Sequence, residues 1–291
     1  MKKLVLFLIC IGIIYNSIIS QEMEKVAIIR CDDIGMNHSV NIAIEEIAKQ
    51  GFPVSASIMF ACPWYLEAVE IIKKYPNISP GVHLTLNSEW ENYKWGPIIG
   101  TEGAPSLVDL NGYFFFSNKQ LLENNPSIHE IEMELRAQIE RALNTGIKID
   151  YFDAHMYAAY STPELRKLIQ NLATEYEIGI SEWYNEEMIH EYFTPYDEKK
   201  ESLIEKLYGL DNNKISILLF HPAMDTKEMN GLVDLNNKEM KIAKHRHAEF
   251  QILISDEFQN TINENKIVLT NYKEFLKTNP ILDTTSFSQT Y

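Results

Sequence analysis

Val26-Ala27-Ile28-Ile29-Arg30-Cys31, then Asp32-Asp33-Ile34-Gly35, then Val40, Ala43, Ile44 and Ile47 at helical spacing is the stretch from which the fold is read. Its first six residues form an apolar run rich in β-branched side chains, the pattern of a strand buried on both faces. Asp-Asp-Ile-Gly breaks that run, and the spacing of three and four that follows predicts a helix over residues 40–49. A buried strand followed by an amphipathic helix is the first half of a βαβ unit, whose next strand lies parallel to the first.

The same alternation continues outward. Strands are expected at Phe52–Phe60, Gly81–Leu86, Ile149–Ala154, Glu177–Ile180, Ile215–Phe220 and Lys266–Leu269. Helices are expected at Trp64–Lys74, Ile128–Leu143, Ala243–Ile254, Ser255–Asn263 and Tyr272–Leu276. Another opens at Thr162-Pro163, with Thr as N-cap and Pro at the first helical position. About seven strand–helix units point to an α/β fold, a distorted, TIM-like (β/α) barrel. An open doubly wound sheet is the alternative that alternation alone leaves standing.

Residues 87–127 interrupt the pattern with Gly96-Pro97, Gly103, Pro105 and Asn111-Gly112. They read as an insertion carrying a small hairpin around Asn111-Gly112. Its rings (Trp90, Tyr93, Trp95 and Tyr113 to Phe116) either offer a stacking face to a partner or pack the loop on itself.

At the N-terminus, Lys2-Lys3 precede an apolar run from Leu4 to Tyr15, and small polar residues lead to Gln21. That is the pattern of a signal peptide over residues 1–20, which predicts export to the periplasm or beyond and a single domain over 21–291. The apolar run is shorter than the about 20 residues a membrane span needs, so no stable membrane anchor is expected. The net charge of the whole chain is −15, and removal of Lys2 and Lys3 takes it to −17. Such a chain repels nucleic acid and anionic membranes and suits a neutral or cationic small partner; a homodimer stays open. Cys31 and Cys62 follow the leader; their spacing is not that of a zinc ribbon, and pairing with each other is an option in an oxidising compartment.

The residues with catalytic potential gather at strand ends. Asp32 and Asp33 follow the first strand, His83 lies in the third, Asp153 and His155 close the fourth, and His221 follows the strand at Ile215–Phe220. In parallel α/β folds those ends form one active-site face. Asp and His together suit one divalent cation, such as Zn2+ or Mg2+, and three protein ligands leave a position open for water or substrate. Asp153 shares a strand face with His155 and is placed to orient that imidazole or its neighbours. Each residue alone also has a structural reading, as a turn, a helix cap or a hydrogen-bonded core histidine; their joint placement favours a site. His38 reads as a cap or surface group, His129 and His190 as solvated, and Lys244-His245-Arg246-His247 as a basic helix face.

Together, Ile28-Ile29-Arg30-Cys31-Asp32-Asp33-Ile34-Gly35-Met36, Gly81-Val82-His83-Leu84-Thr85-Leu86, Phe152-Asp153-Ala154-His155 and His221-Pro222-Ala223 resemble, in order and spacing, the motifs of the YdjC-like carbohydrate deacetylases. The resemblance covers nearly all of the chain beyond the leader. It implies a barrel related to the polysaccharide deacetylases, with Asp33, His83 and His155 binding the metal, Asp32 as general base and His221 as general acid. It implies hydrolysis of an acetyl group from an N-acetylated sugar or oligosaccharide, with a protonated His221 donating to the leaving amine. Met156-Tyr157-Ala158 stand where many members carry further histidines, so the loop facing the substrate differs from theirs. The rival readings are a glycoside hydrolase using paired carboxylates and a non-catalytic carbohydrate-binding protein on the same fold.

Overall fold

The computed structural model describes residues 24–279, so the leader expected at 1–20 lies outside the described residues. Eight strands form one parallel sheet: β1 (Lys25–Ile34), β2 (Val54–Ile58), β3 (Ile78–Leu84), β4 (Tyr151–Ala154), β5 (Gly179–Ile180), β6 (Glu187–His190), β7 (Ile215–Phe220) and β8 (Ile267–Thr270). Seven follow the order β5-β4-β3-β2-β1-β7-β6, and β8 pairs with β1 off that path. The sheet curls into a barrel that stays open, since β5 and β6 do not pair with each other among the described residues. This is the distorted, TIM-like barrel that the alternation predicts, with β6 added.

β1 is the hub because it is long. Its first residues pair with β8 (Lys25 to Ile28), its last with β2 (Arg30 to Ile34), and its other edge with β7. The strand runs on through both aspartates to Ile34, three residues beyond the expected end, with a register shift between Cys31 and Ile34.

The helices cover the outer faces: α1 (His38–Ala48), α2 (Tyr65–Lys74), α3 (Ile128–Asn144), α4 (Pro163–Tyr176), α5 (Lys199–Tyr208), α6 (Ile242–Leu253), α7 (Asp256–Glu264) and α8 (Tyr272–Thr278). Their starts are encoded locally. Asn37 caps α1 through a bond from the Val40 N–H, and Thr162 caps α4 through one from Leu165 N–H, with Pro163 just inside. β6, α5, the one-turn helix Lys227–Asn230 and the 3-10 segment His155–Tyr160 are among the elements that sequence patterning did not predict. β6 has exposed or half-buried side chains throughout, and so lacks an apolar run.

The barrel interior is layered by strand alternation. Ile28, Tyr151, Ile217 and Leu219 form an apolar layer closed by Tyr272 and Phe275 of α8. Two residues further along the same strand faces stand Arg30 and Asp153, and beyond Arg30, Asp32. The interior thus turns from apolar to charged toward the C-terminal strand ends. Gly81 makes the lower layer possible, because a Cβ there would lie 2.4 Å from the ring of fully buried Tyr151. Gly81→Ala is therefore expected to cost about 1–3 kcal/mol of stability through overpacking. Urea denaturation checks this, and an unchanged midpoint would mean that the Tyr151 ring shifts freely.

The 87–127 insertion carries less regular structure than a full hairpin. Val108 and Phe114 form a single antiparallel bridge around the Asn111-Gly112 turn, and short helical turns lie at Gly100–Gly103 and Asn118–Glu123. Three of its large rings pack inward, Trp90, Trp95 and Phe114, while Tyr113 is exposed. Cys31 and Cys62 are both buried free thiols, so the pairing left open by their number is not present. No helix among the described residues is long and apolar enough to cross a membrane.

Candidate active site

Asp32 and Asp33 are neighbours in a strand, where successive side chains point to opposite faces. The bulge resolves this. Asp33 sits at φ 70, a left-handed conformation that Asp tolerates better than most residues, and the local break in alternation brings both carboxylates to one cavity.

Three of the expected residues converge. Asp33 Oδ1 lies 3.3 Å from His83 Nε2 and 3.2 Å from His155 Nδ1, and all three residues are buried. The far nitrogen of each ring meets a carboxylate: His83 Nδ1 is 2.8 Å from Asp153 Oδ1, and His155 Nε2 is 2.9 Å from Glu89 Oε2. With those nitrogens as donors, both lone pairs face inward toward Asp33 Oδ1, which is itself buried without a hydrogen-bond partner. Three lone-pair atoms aimed at one point fit a divalent cation, and the carboxylates behind the imidazoles are the usual support of metal-bound histidine. Asp153 thus orients a neighbour of His155. The β3–β4 register sets His83 directly beside Asp153.

The carboxylates around this point favour positive charge on it, supplied by protons on the inward ring nitrogens or, in their place, by a cation, which needs both rings neutral. Burial opposes ionisation of Asp33, yet the Arg246 guanidinium and the two imidazoles hold its carboxyl well below the usual range. Burial likewise opposes charge on the histidines, but Asp153 and Asp32 raise His83 well above its ordinary value, and Glu89 and Asp33 raise His155 to about 9. Asp32, His83 and Asp153 make a second acidic grouping, but a cation already sits there: Arg30 Nε lies 3.0 Å from Asp32 and 3.4 Å from Asp153.

Arg30 holds Asp32 side-on, Nε to Oδ1 at 3.0 Å and Nη2 to Oδ2 at 3.1 Å, while its Nη1 bonds Ser181 and Glu182. Asp32 is thereby separated from the ligand cluster, its nearest oxygen 4.0 Å from His83 Nε2. His221 lies across the same cavity, its backbone N–H fixed by Glu249 Oε2 at 2.6 Å. Burial, against the pull of Asp33 and Asp32, depresses its pKa to about 4. The ring is neutral near pH 7, whereas donation to a leaving amine needs it protonated. His221 has to be loaded with a proton before it can donate one.

Several residues of the site escaped sequence reading. Glu89 opens the insertion and carries no pattern of its own. Arg246, expected on a basic helix face, is buried, with Nη2 2.6 Å from Asp33 Oδ2. Its spacing of three from Glu249 on α6 is the only signal that both face inward. Arg30 was legible in principle, two residues before Asp32 on one strand face. The cavity measures about 510 Å³. The insertion's aromatics do not line it; Tyr157, Tyr192 and Phe193 do, together with His190, which stays exposed as expected. Met156 and Tyr157 are two consecutive left-handed residues, at φ 47 and 58, an uncommon backbone that favours a role at the site.

Comparison with known proteins agrees with this geometry. The family model described as YdjC-like protein matches residues 26–264. A carbohydrate deacetylase of Thermoanaerobacter pseudethanolicus is 29% identical over 260 residues, covering 85% of this chain and 98% of that protein. One of Brevibacillus brevis is 27% identical over 262 residues, with 85% and 98% covered. A crystal structure from Enterococcus faecalis V583 is similar at 26% identity and a TM-score of 0.68, covering 87% of this chain and 99% of that one. The Xyl-CE4 domain of a multidomain xylanase from the hindgut metagenome of Trinervitermes trinervoides shares the fold, at 10% identity and a TM-score of 0.51, with 89% and 95% covered.

Proposed function

The chain belongs to the YdjC-like protein family, and from that premise we propose that it is a metal-dependent carbohydrate deacetylase, cleaving the amide of an N-acetylated sugar to acetate and the free amine. The observation that carries this reading is the buried triangle of Asp33, His83 and His155, with the outer nitrogens of both rings engaged by carboxylates. These three residues would hold the ion. A divalent cation there supplies Lewis acidity to the acetyl carbonyl and acidity to a water.

The chain's own groups account for the proton movements. Asp32, held side-on by Arg30, takes a proton from the attacking water as the O–C bond forms. The C–N bond then breaks, and the amine nitrogen needs one proton. The proton that Asp32 takes from the water is the one the amine gains, and His221, neutral at the start, would relay it across the cavity that both residues line. Paired-carboxylate glycoside hydrolysis would leave three histidines around the cavity without a task.

The test is acetate release from N-acetylated oligosaccharides by protein loaded in turn with Zn2+ and Mg2+, and by chelator-treated protein. Release is expected only with metal, restored on adding it back. Reducing-end formation without acetate would favour the glycoside hydrolase instead.

A further inference from the structure

We propose that Tyr192 and Phe193 are the specificity element of this site, seating a sugar ring beyond the one that carries the acetamide; the inference rests on the deacetylase reading. The leaving group of the reaction is the amine that stays on the sugar, so the residue that protonates it marks the side from which the sugar extends. That residue is His221. The Tyr192 ring meets it edge-on at 5.5 Å, Phe193 meets Tyr192 edge-on at 5.1 Å, and His190 lies 6.3 Å from Phe193. These rings run from the leaving-group side outward along the cavity wall.

Phe193 is 80% exposed although it lines the cavity. A phenyl group left to water is costly, and a pyranose presents the apolar C–H face that would cover it. The loop beneath it is not loose. Lys199 of α5 is fully buried, and its Nζ donates to Glu191 O at 2.7 Å and to Glu249 Oε1 at 2.6 Å. Thr194 closes the loop by donating its hydroxyl to Glu191 Oε2 at 2.6 Å and its N–H to Glu191 O at 3.0 Å. Glu249 is also the carboxylate that holds the His221 backbone. One buried strut therefore holds both the His221 backbone and the backbone of the Tyr192–Phe193 loop, so the segment that carries the exposed ring is in place before binding.

Polar partners for hydroxyl groups stand on the same cavity in Asp234, Asn236 and Asn237. The volume, about 510 Å³, exceeds the need of one acetamido group and lies within the roughly 300–1,000 Å³ of small-molecule sites.

The experiment compares kcat/KM for acetate release from N-acetylglucosamine and from its β-1,4-linked dimer, using metal-loaded wild type, F193A, F193L and F193W. Wild type is expected to prefer the dimer. That preference should fall about tenfold in F193A and F193L, mainly through KM, and return in F193W. Calorimetric binding of both sugars to the same proteins should follow the same order. An unchanged preference in F193A, rescue by leucine as good as by tryptophan, or a wild type indifferent to the second ring would each overturn the proposal. If metal-loaded wild type releases acetate from neither sugar, the deacetylase reading fails. The binding arm then decides this proposal separately: a Phe193-dependent preference for the dimer upholds it, and its absence ends it.

Discussion

Asp33→Asn is expected to empty the site of metal and abolish acetate release, the largest effect of any single change proposed. The carboxamide keeps the shape of the side chain but removes the one anion among the three converging ligands. It also strips Arg246 of the partner at 2.6 Å, leaving a buried guanidinium uncompensated. Glu89→Gln and Asp153→Asn should be milder, because these carboxylates only orient the imidazoles; the loss of such support typically costs about 10–100-fold in metal affinity. Equilibrium dialysis with the metal, run beside a thermal denaturation control, gives the ranking. Asp33→Asn retaining wild-type affinity would remove Asp33 from the ligand set.

Asp32→Asn and His221→Ala should behave in the opposite way, keeping metal while losing acetate release by about 10²–10⁴, the usual cost of a positioned base or acid. The ground for separating Asp32 from its neighbour is the side-on grip of Arg30, which occupies both of its oxygens. His221 is separated by its place after β7, on a cavity wall contributed by a different strand from those of the ligands. Metal content and turnover measured together on both variants decide the matter. Asp32→Asn that loses metal as fully as Asp33→Asn would make it a ligand. His221→Ala with near-normal turnover would leave proton delivery to another group.

Much of the fold was legible because the buried strands announce themselves. Ile215–Phe220 is apolar at nearly every position and is found within the predicted bounds. β6 was not legible: its four residues, Glu187 to His190, alternate polar and apolar too briefly to stand out, and the β7 edge, not its own burial, holds it in place. The insertion was recognised as an insertion, but of its rings, left between sugar and core, Trp90, Trp95 and Phe114 went to the core, while Tyr113 stays exposed. The aromatics that do line the cavity sit at Tyr157 and Tyr192-Phe193, in segments whose sequence shows no period at all.

The amino-acid sequence alone determined the parallel sheet, the strand-end placement of Asp32, Asp33, His83, His155 and His221, and the Thr162 helix start, because periodicity and capping are local properties of each element. Tertiary structure alone decided which groups complete the site. Arg246 reaches Asp33 across 213 residues, and Glu89 reaches His155 across 66. Strand register sets Asp153 beside His83, and a bulge at φ 70 turns two adjacent aspartates to one cavity. A side chain's own neighbours along the chain report whether it is buried, whereas its partner in a charged interior is chosen by register and packing, which no local pattern records.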